Sequence, residues 1–86
     1  MIIKVETVVN GDPMDHFVMI EHTTDIQTYK EKHSTIRYKW YKKLKKCYWH
    51  HDMLDAFITV LKKYNIDAKN VADMVDDVVI GYRSCG

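Results

Sequence analysis

The sequence predicts an α+β fold, in which an antiparallel β-hairpin is covered by two or three helices. Two observations support this class. β-branched residues alternate with polar ones near the start of the chain, which is typical of a half-buried strand. Apolar residues then recur every three or four positions, which is typical of amphipathic helices. A chain of 86 residues suffices for one core, so residues 1–86 are expected to form a single small domain.

The hairpin is predicted from two alternating segments, at about 2–9 and 16–22. The segment between them contains Gly11, which tolerates positive φ, and Pro13, which cannot donate to a β ladder. The chain is therefore expected to turn here, with a loop of about four to six residues.

The helices are predicted from apolar spacing and from residues that suit helix ends. Thr24 and Gln27 have the spacing of a capping box, and Asp52 suits a second N-cap. Asn65 suits a helix C-terminus, and Gly81 is expected to end the last helix. The predicted helices span about 25–48, 52–63 and 68–80, and residues 82–86 are expected to be frayed.

The segment 35–41 permits a second interpretation. Its residues also alternate, and threonine, isoleucine, tyrosine and tryptophan favour strands. A third strand at 35–41 is therefore the alternative to a helix that places Ile36 and Trp40 inward.

Positive charge and aromatic rings are concentrated in residues 37–49. Residues 28–51 hold eight cationic side chains against one acid, although the net charge of the whole chain is only +1. Lysines supply point charges for phosphates, and exposed rings stack on unpaired bases. The candidate binding residues are Arg37, Tyr38, Lys39, Lys42, Lys43, Lys45, Lys46 and Trp49.

Two partner classes fit this surface, beside the simpler interpretation that lysines merely keep a helix in solution. The first is a partner protein, on which a non-enzymatic inhibitor or adaptor would dock by charge and aromatic anchors. The alternative is RNA or single-stranded nucleic acid, bound with little sequence selectivity. The composition resembles that of small accessory proteins from AT-rich genomes, bacteriophages included, which favours the inhibitor class.

A second, acidic surface is expected on the last predicted helix, where three aspartates have the spacing of one helix face. It would serve as a secondary docking surface, would neutralise the basic stretch internally, or would meet that stretch in a second copy as a homodimer. These residues are Asp73, Asp76 and Asp77.

The sequence does not indicate catalysis, a cofactor or a metal centre. The five histidines form no motif that places an acid near a base, and the chain has no glycine-rich phosphate loop. Cys47 and His50 have local ligand spacing but lack the further convergent ligands that zinc requires. We expect a protein that is not an enzyme.

No apolar run approaches the length needed to span a bilayer, and the first residues include charges. No membrane partner is therefore expected. The protein is predicted to be cytoplasmic, with Cys47 and Cys85 reduced.

Overall fold

The computed structural model describes residues 1–71 and the backbone of residues 78–83, and it shows an α+β fold. Two helices pack on one face of a four-stranded sheet. The predicted fold class is therefore confirmed. In chain order the elements are β1 (Ile2–Val9), β2 (Asp12–Met19), α1 (Thr23–Leu44), α2 (His50–Lys63), β3 (Lys69–Val71) and β4 (Val78–Arg83).

The sheet has the strand order β3-β2-β1-β4. β2 pairs antiparallel with both β1 and β3, whereas β4 pairs parallel with β1. The paired residues Ile3 and Val18 lie on the face that the helices cover, and both are fully buried. This face of β1 and β2 forms one side of the core.

The turn of the hairpin is shorter than predicted, and the second strand begins four residues earlier. Val9 pairs with Asp12, so the loop consists of Asn10 and Gly11 alone. Both have positive φ, at 52° and 79°, which is the requirement of the two-residue turn that Asn-Gly favours. Pro13 is accommodated within β2 because β3 pairs only with residues 17–19 and leaves this part of the strand at an edge.

Both helices are present over most of their predicted lengths. α1 begins at Thr23 rather than Asp25, and no side chain caps its first turn, so the predicted capping box is wrong. α2 begins at His50, with Trp49 rather than Asp52 at the N-cap position. The alternative third strand at 35–41 is also wrong, because this segment lies inside α1.

The predicted last helix at 68–80 is not formed by the residues that the structure describes there. Lys69–Val71 and Val78–Arg83 are strands. β-branched residues at 78–80 favour a strand, and the backbones of Val78 and Ile80 pair with Ile2 and Ile3. The expectation of a frayed tail is likewise wrong for residues 82–83, which belong to β4, while residues 84–86 lie outside the described part.

The core lies between the sheet and the two helices. Ile36 and Trp40, four residues apart on α1, are fully buried as predicted. The Trp40 indole N–H donates to the Met53 carbonyl at 2.8 Å, and its ring meets Phe57 edge-on with centroids 5.2 Å apart. This hydrogen bond satisfies the polar group of the buried indole and joins the two helices.

The end of α2 follows the prediction for Asn65. This residue has φ of 60°, its N–H donates to the Lys62 carbonyl, and the N–H of Ile66 donates to Leu61. These two bonds satisfy carbonyls that a helix end otherwise leaves without a donor. No helix within residues 1–71 and 78–83 has the length and apolarity needed to cross a membrane.

Candidate anion-binding face

Four lysines form a stripe along the C-terminal part of α1 and the turn that follows it. Their spacing is i, i+3, i+4 and i+7, which places side chains on one side of a helix. The helical path continues past Leu44, since the N–H groups of Lys46 and Cys47 still donate to carbonyls three residues earlier. The lysine stripe consists of Lys39, Lys42, Lys43 and Lys46.

Two lysines of the stripe have aromatic neighbours, and no lysine of the stripe forms an ion pair with a carboxylate of residues 1–71. The Lys39 ammonium lies 5.1 Å from the centroid of the Tyr64 ring, and that of Lys42 lies 4.9 Å from Tyr38. The ion pairs formed within this part of the chain involve other residues. The stripe therefore presents charge that the described carboxylates do not neutralise.

Three members of the stripe line a groove between α1 and α2, which we call the lysine groove. Its volume is about 320 Å³, and Lys42, Lys43 and Lys46 supply its charge. Ala56 and Thr59 of α2 form the opposite wall, where the Thr59 hydroxyl donates to the Asp55 carbonyl of its own helix. The groove thus places three ammonium groups beside a largely apolar wall.

A second cavity lies between the hairpin turn and the loop that joins the helices, and we call it the aromatic pocket. It measures about 340 Å³. Tyr48 and Trp49 line it, and their side chains are 75% and 63% exposed. Trp49 is exposed because it precedes α2 in an extended conformation and so lies outside the buried stripe of that helix. The remaining lining includes Val8, Val9, Asn10, Cys47 and Met53.

Cys47 lines both cavities and forms the wall between them. Its thiol lies 3.4 Å from the Lys43 carbonyl and 3.6 Å from that of Asp52, and it donates to both. Burial raises the pKa of this thiol; the charge of Asp52 adds to the rise, and Lys43 opposes it. Cys47 is therefore a protonated structural group at neutral pH rather than a nucleophile.

The other predicted binding residues lie outside both cavities. Arg37 and Lys39 are two residues apart on α1, so they do not share a side of the helix. Lys45 and Tyr38 are exposed, but neither lines the lysine groove or the aromatic pocket. The structure thus divides the predicted surface into a central part around the cavities and a periphery.

A cluster around Thr7 was missed from the sequence. The Thr7 hydroxyl is fully buried and lies 2.9 Å from Nε2 of His16 and 2.6 Å from Nδ1 of His50. On its other side, Nε2 of His50 lies 3.8 Å from a carboxylate oxygen of Asp12. We call these four residues the Thr7 cluster. The hairpin register brings His16 to Thr7, and the position of α2 brings in His50, which is 43 residues further along the chain than Thr7.

The Thr7 cluster shows the features of a structural site. The pKa of His16 is lowered, first by burial and then by the nearby His50, while Asp15 opposes the shift. Because both histidines bond to a hydroxyl that solvent does not reach, no substrate group has access to that point of the cluster. No group of three or more histidine, cysteine or acidic side chains in the described chain is arranged to hold a metal ion.

The predicted acidic surface cannot be placed, because Asp73, Asp76 and Asp77 lie outside the described residues. Comparison of the chain with known protein families, curated proteins and solved structures finds no match. The geometry of the described residues is therefore the basis for a functional proposal.

Proposed function

We propose that the protein is a non-enzymatic binding protein that uses the lysine stripe and the neighbouring aromatic rings to bind single-stranded nucleic acid. The observation that carries this proposal is the position of Cys47. It separates a groove lined by three lysines from a pocket lined by two exposed rings. Cations and rings therefore alternate at short range.

This alternation suits an unpaired strand better than a duplex. Ammonium groups bind phosphates through charge, and aromatic rings stack on bases whose faces are open. The bases of a duplex are already stacked on one another, so Trp49 would have no free base to contact. The sequence alone favours a protein partner; the adjoining cavities favour nucleic acid, because each matches one part of a nucleotide.

Fluorescence anisotropy with labelled single-stranded RNA, single-stranded DNA and a duplex of matched length tests the proposal. We expect the single strands to bind more tightly. Their log affinity should fall linearly with log salt concentration, with a slope of roughly −0.7 for each phosphate that the lysines neutralise. Absence of binding at about 50 mM salt, where such contacts are strong, would reject a nucleic-acid partner.

A second candidate is docking on an acidic surface of a partner protein, as an inhibitor or adaptor. The observation that favours it is Tyr38, which is 60% exposed beside Lys42 and lines neither cavity. An exposed ring beside a cation is a typical anchor of protein interfaces. Binding of a polyglutamate peptide, together with failure of every oligonucleotide to bind, would favour this candidate over the first.

A further inference from the structure

We propose that the lysine groove and the aromatic pocket form one composite site for a single nucleotide unit. The phosphate lies in the groove, and the base lies in the pocket. This inference rests on the proposed function and adds a position for each part of the ligand.

The groove suits the phosphate because its charge is concentrated on one side. Lys42, Lys43 and Lys46 supply three ammonium groups, and no carboxylate of residues 1–71 forms an ion pair with them. The opposite wall at Ala56 offers no competing charge, and less water near the anion strengthens its attraction to the lysines. An anion that enters the groove thus meets the attraction of three lysines, which is opposed by the carboxylate of Asp52, whose charge also acts on Cys47.

The pocket suits a base because it combines stacking surface with a polar rim. Trp49 and Tyr48 present rings, while Val8 and Met53 line the interior with apolar groups. Asn10 lies at the same pocket, and its amide is both a donor and an acceptor for a base edge. This residue lies in the two-residue hairpin turn, where its φ is 52°.

The wall at Cys47 allows one ligand to reach both cavities. Its side chain is small, and its thiol is directed to the carbonyls of Lys43 and Asp52 rather than to a charged partner. A sugar that crosses this wall would join a phosphate on one side to a base on the other. The composite site therefore matches the order of groups within one nucleotide.

The test compares two probes of equal length and charge, a uridine decamer and an abasic decamer with the same backbone. Trp49→Ala is expected to weaken binding of the uridine decamer by about 5- to 160-fold, because loss of stacking on one base costs about 1–3 kcal/mol. Binding of the abasic decamer should not change, since it has no base to place in the pocket.

Two variants serve as controls. Met14→Ala removes an exposed apolar side chain that lines neither cavity, and we expect it to leave both affinities unchanged. Trp49→Phe keeps an aromatic ring and should retain most of the wild-type affinity for the uridine decamer. Both positions, Met14 and Trp49, are exposed, so circular dichroism should show wild-type folding for all three variants.

Intrinsic fluorescence gives a second measurement. The chain contains two tryptophans, and Trp40 is fully buried, so quenching on addition of the uridine decamer would report on Trp49. The abasic decamer should produce no quenching.

The outcomes separate this inference from the proposed function. If the wild type binds neither decamer, the proposed function fails. If it binds both equally and Trp49→Ala changes neither affinity, nucleic-acid binding stands and the composite site is rejected. Equal weakening of both probes by Trp49→Ala would also reject it, because the effect would not depend on a base.

Discussion

The lysine groove and the Thr7 cluster both gather ionisable side chains, but they satisfy those side chains differently. In the Thr7 cluster, His16 and His50 bond to one buried hydroxyl, and Asp12 lies 3.8 Å beyond His50. In the groove, three lysines face solvent without an ion-pair partner among the described residues. Groups satisfied inside the protein stabilise the fold, whereas groups left at the surface remain available to a partner.

The largest expected effect is on binding at the groove. The combined change Lys42→Gln, Lys43→Gln and Lys46→Gln should weaken binding of single-stranded RNA by about 100-fold at low salt, because three charged contacts to phosphate are lost. The salt slope should become shallower by roughly 0.7 for each phosphate that the groove neutralises. The free energy of unfolding should fall by less than about 1 kcal/mol, because exposed lysines near a helix end contribute little each. Anisotropy and denaturant unfolding measure the two quantities.

A matched control removes the same number of charges elsewhere. Lys30, Lys62 and Lys63 are exposed and line neither cavity. Their replacement by glutamine should leave most of the affinity intact. If this control loses as much affinity as the groove variant, binding depends on net charge alone. The lysines of the groove would then be no more available to a partner than other surface lysines.

The next effect is on stability at the Thr7 cluster. Thr7→Val keeps the shape of the side chain but removes the hydroxyl, which leaves two half-buried imidazole nitrogens without this partner. We expect the free energy of unfolding to fall by about 2 kcal/mol. RNA binding at neutral pH should stay at the wild-type level, since the groove is untouched.

Thr7→Ser is the control for this change because it retains the hydroxyl. Its free energy of unfolding should fall less than that of Thr7→Val, because the serine hydroxyl can still bond to both imidazoles. Equal losses for serine and valine would indicate that the methyl group, rather than the hydrogen bonds, carries the effect.

The smallest effect is the pH dependence that His16 contributes. Its pKa in the folded protein is lowered from the ordinary 6.5 by burial and by His50, so the unfolded chain binds this proton more readily. The resulting stability is fully present above pH 6.5 and is lost as the pH falls from there through the folded pKa. The slope for one proton is at most about 1.4 kcal/mol per pH unit.

Denaturant unfolding between about pH 7.5 and pH 5 measures this contribution. His16→Gln should show a shallower dependence than the wild type, because the variant cannot take up the proton. Asp15 beside His16 and Asp12 beside His50 are the carboxylates that face the pair, and both remain in the variant. An unchanged slope would mean that another group titrates over this range.

The sequence alone predicted the structure correctly where a single local pattern determines it. The spacing of Ile36 and Trp40 predicted the buried side of α1, and Asn65 was correctly placed at the end of α2. The sequence also left Tyr38 and Trp49 outside the core, as observed. Hydrophobic burial and positive φ act over a few residues, so short patterns determine them.

Prediction failed where two local rules competed. Asn10-Gly11 favours a two-residue turn, whereas Pro13 lacks the N–H that a β ladder requires and so favours a longer loop. Only the position of β3 shows that Pro13 lies at an open edge, where a missing N–H costs no ladder bond. At residues 78–80, helical spacing and β-branched composition disagreed, and pairing with β1 decided for the strand.

The sequence by itself determined the fold class, the buried side of α1 and the concentration of cations near its end, because periodicity and composition are local properties. Tertiary structure decided the rest. The packing of α2 against α1 formed the groove that the lysines line. The hairpin register placed His16 near His50, where both bond to Thr7. Such arrangements depend on contacts between residues far apart in sequence, and no single segment encodes them.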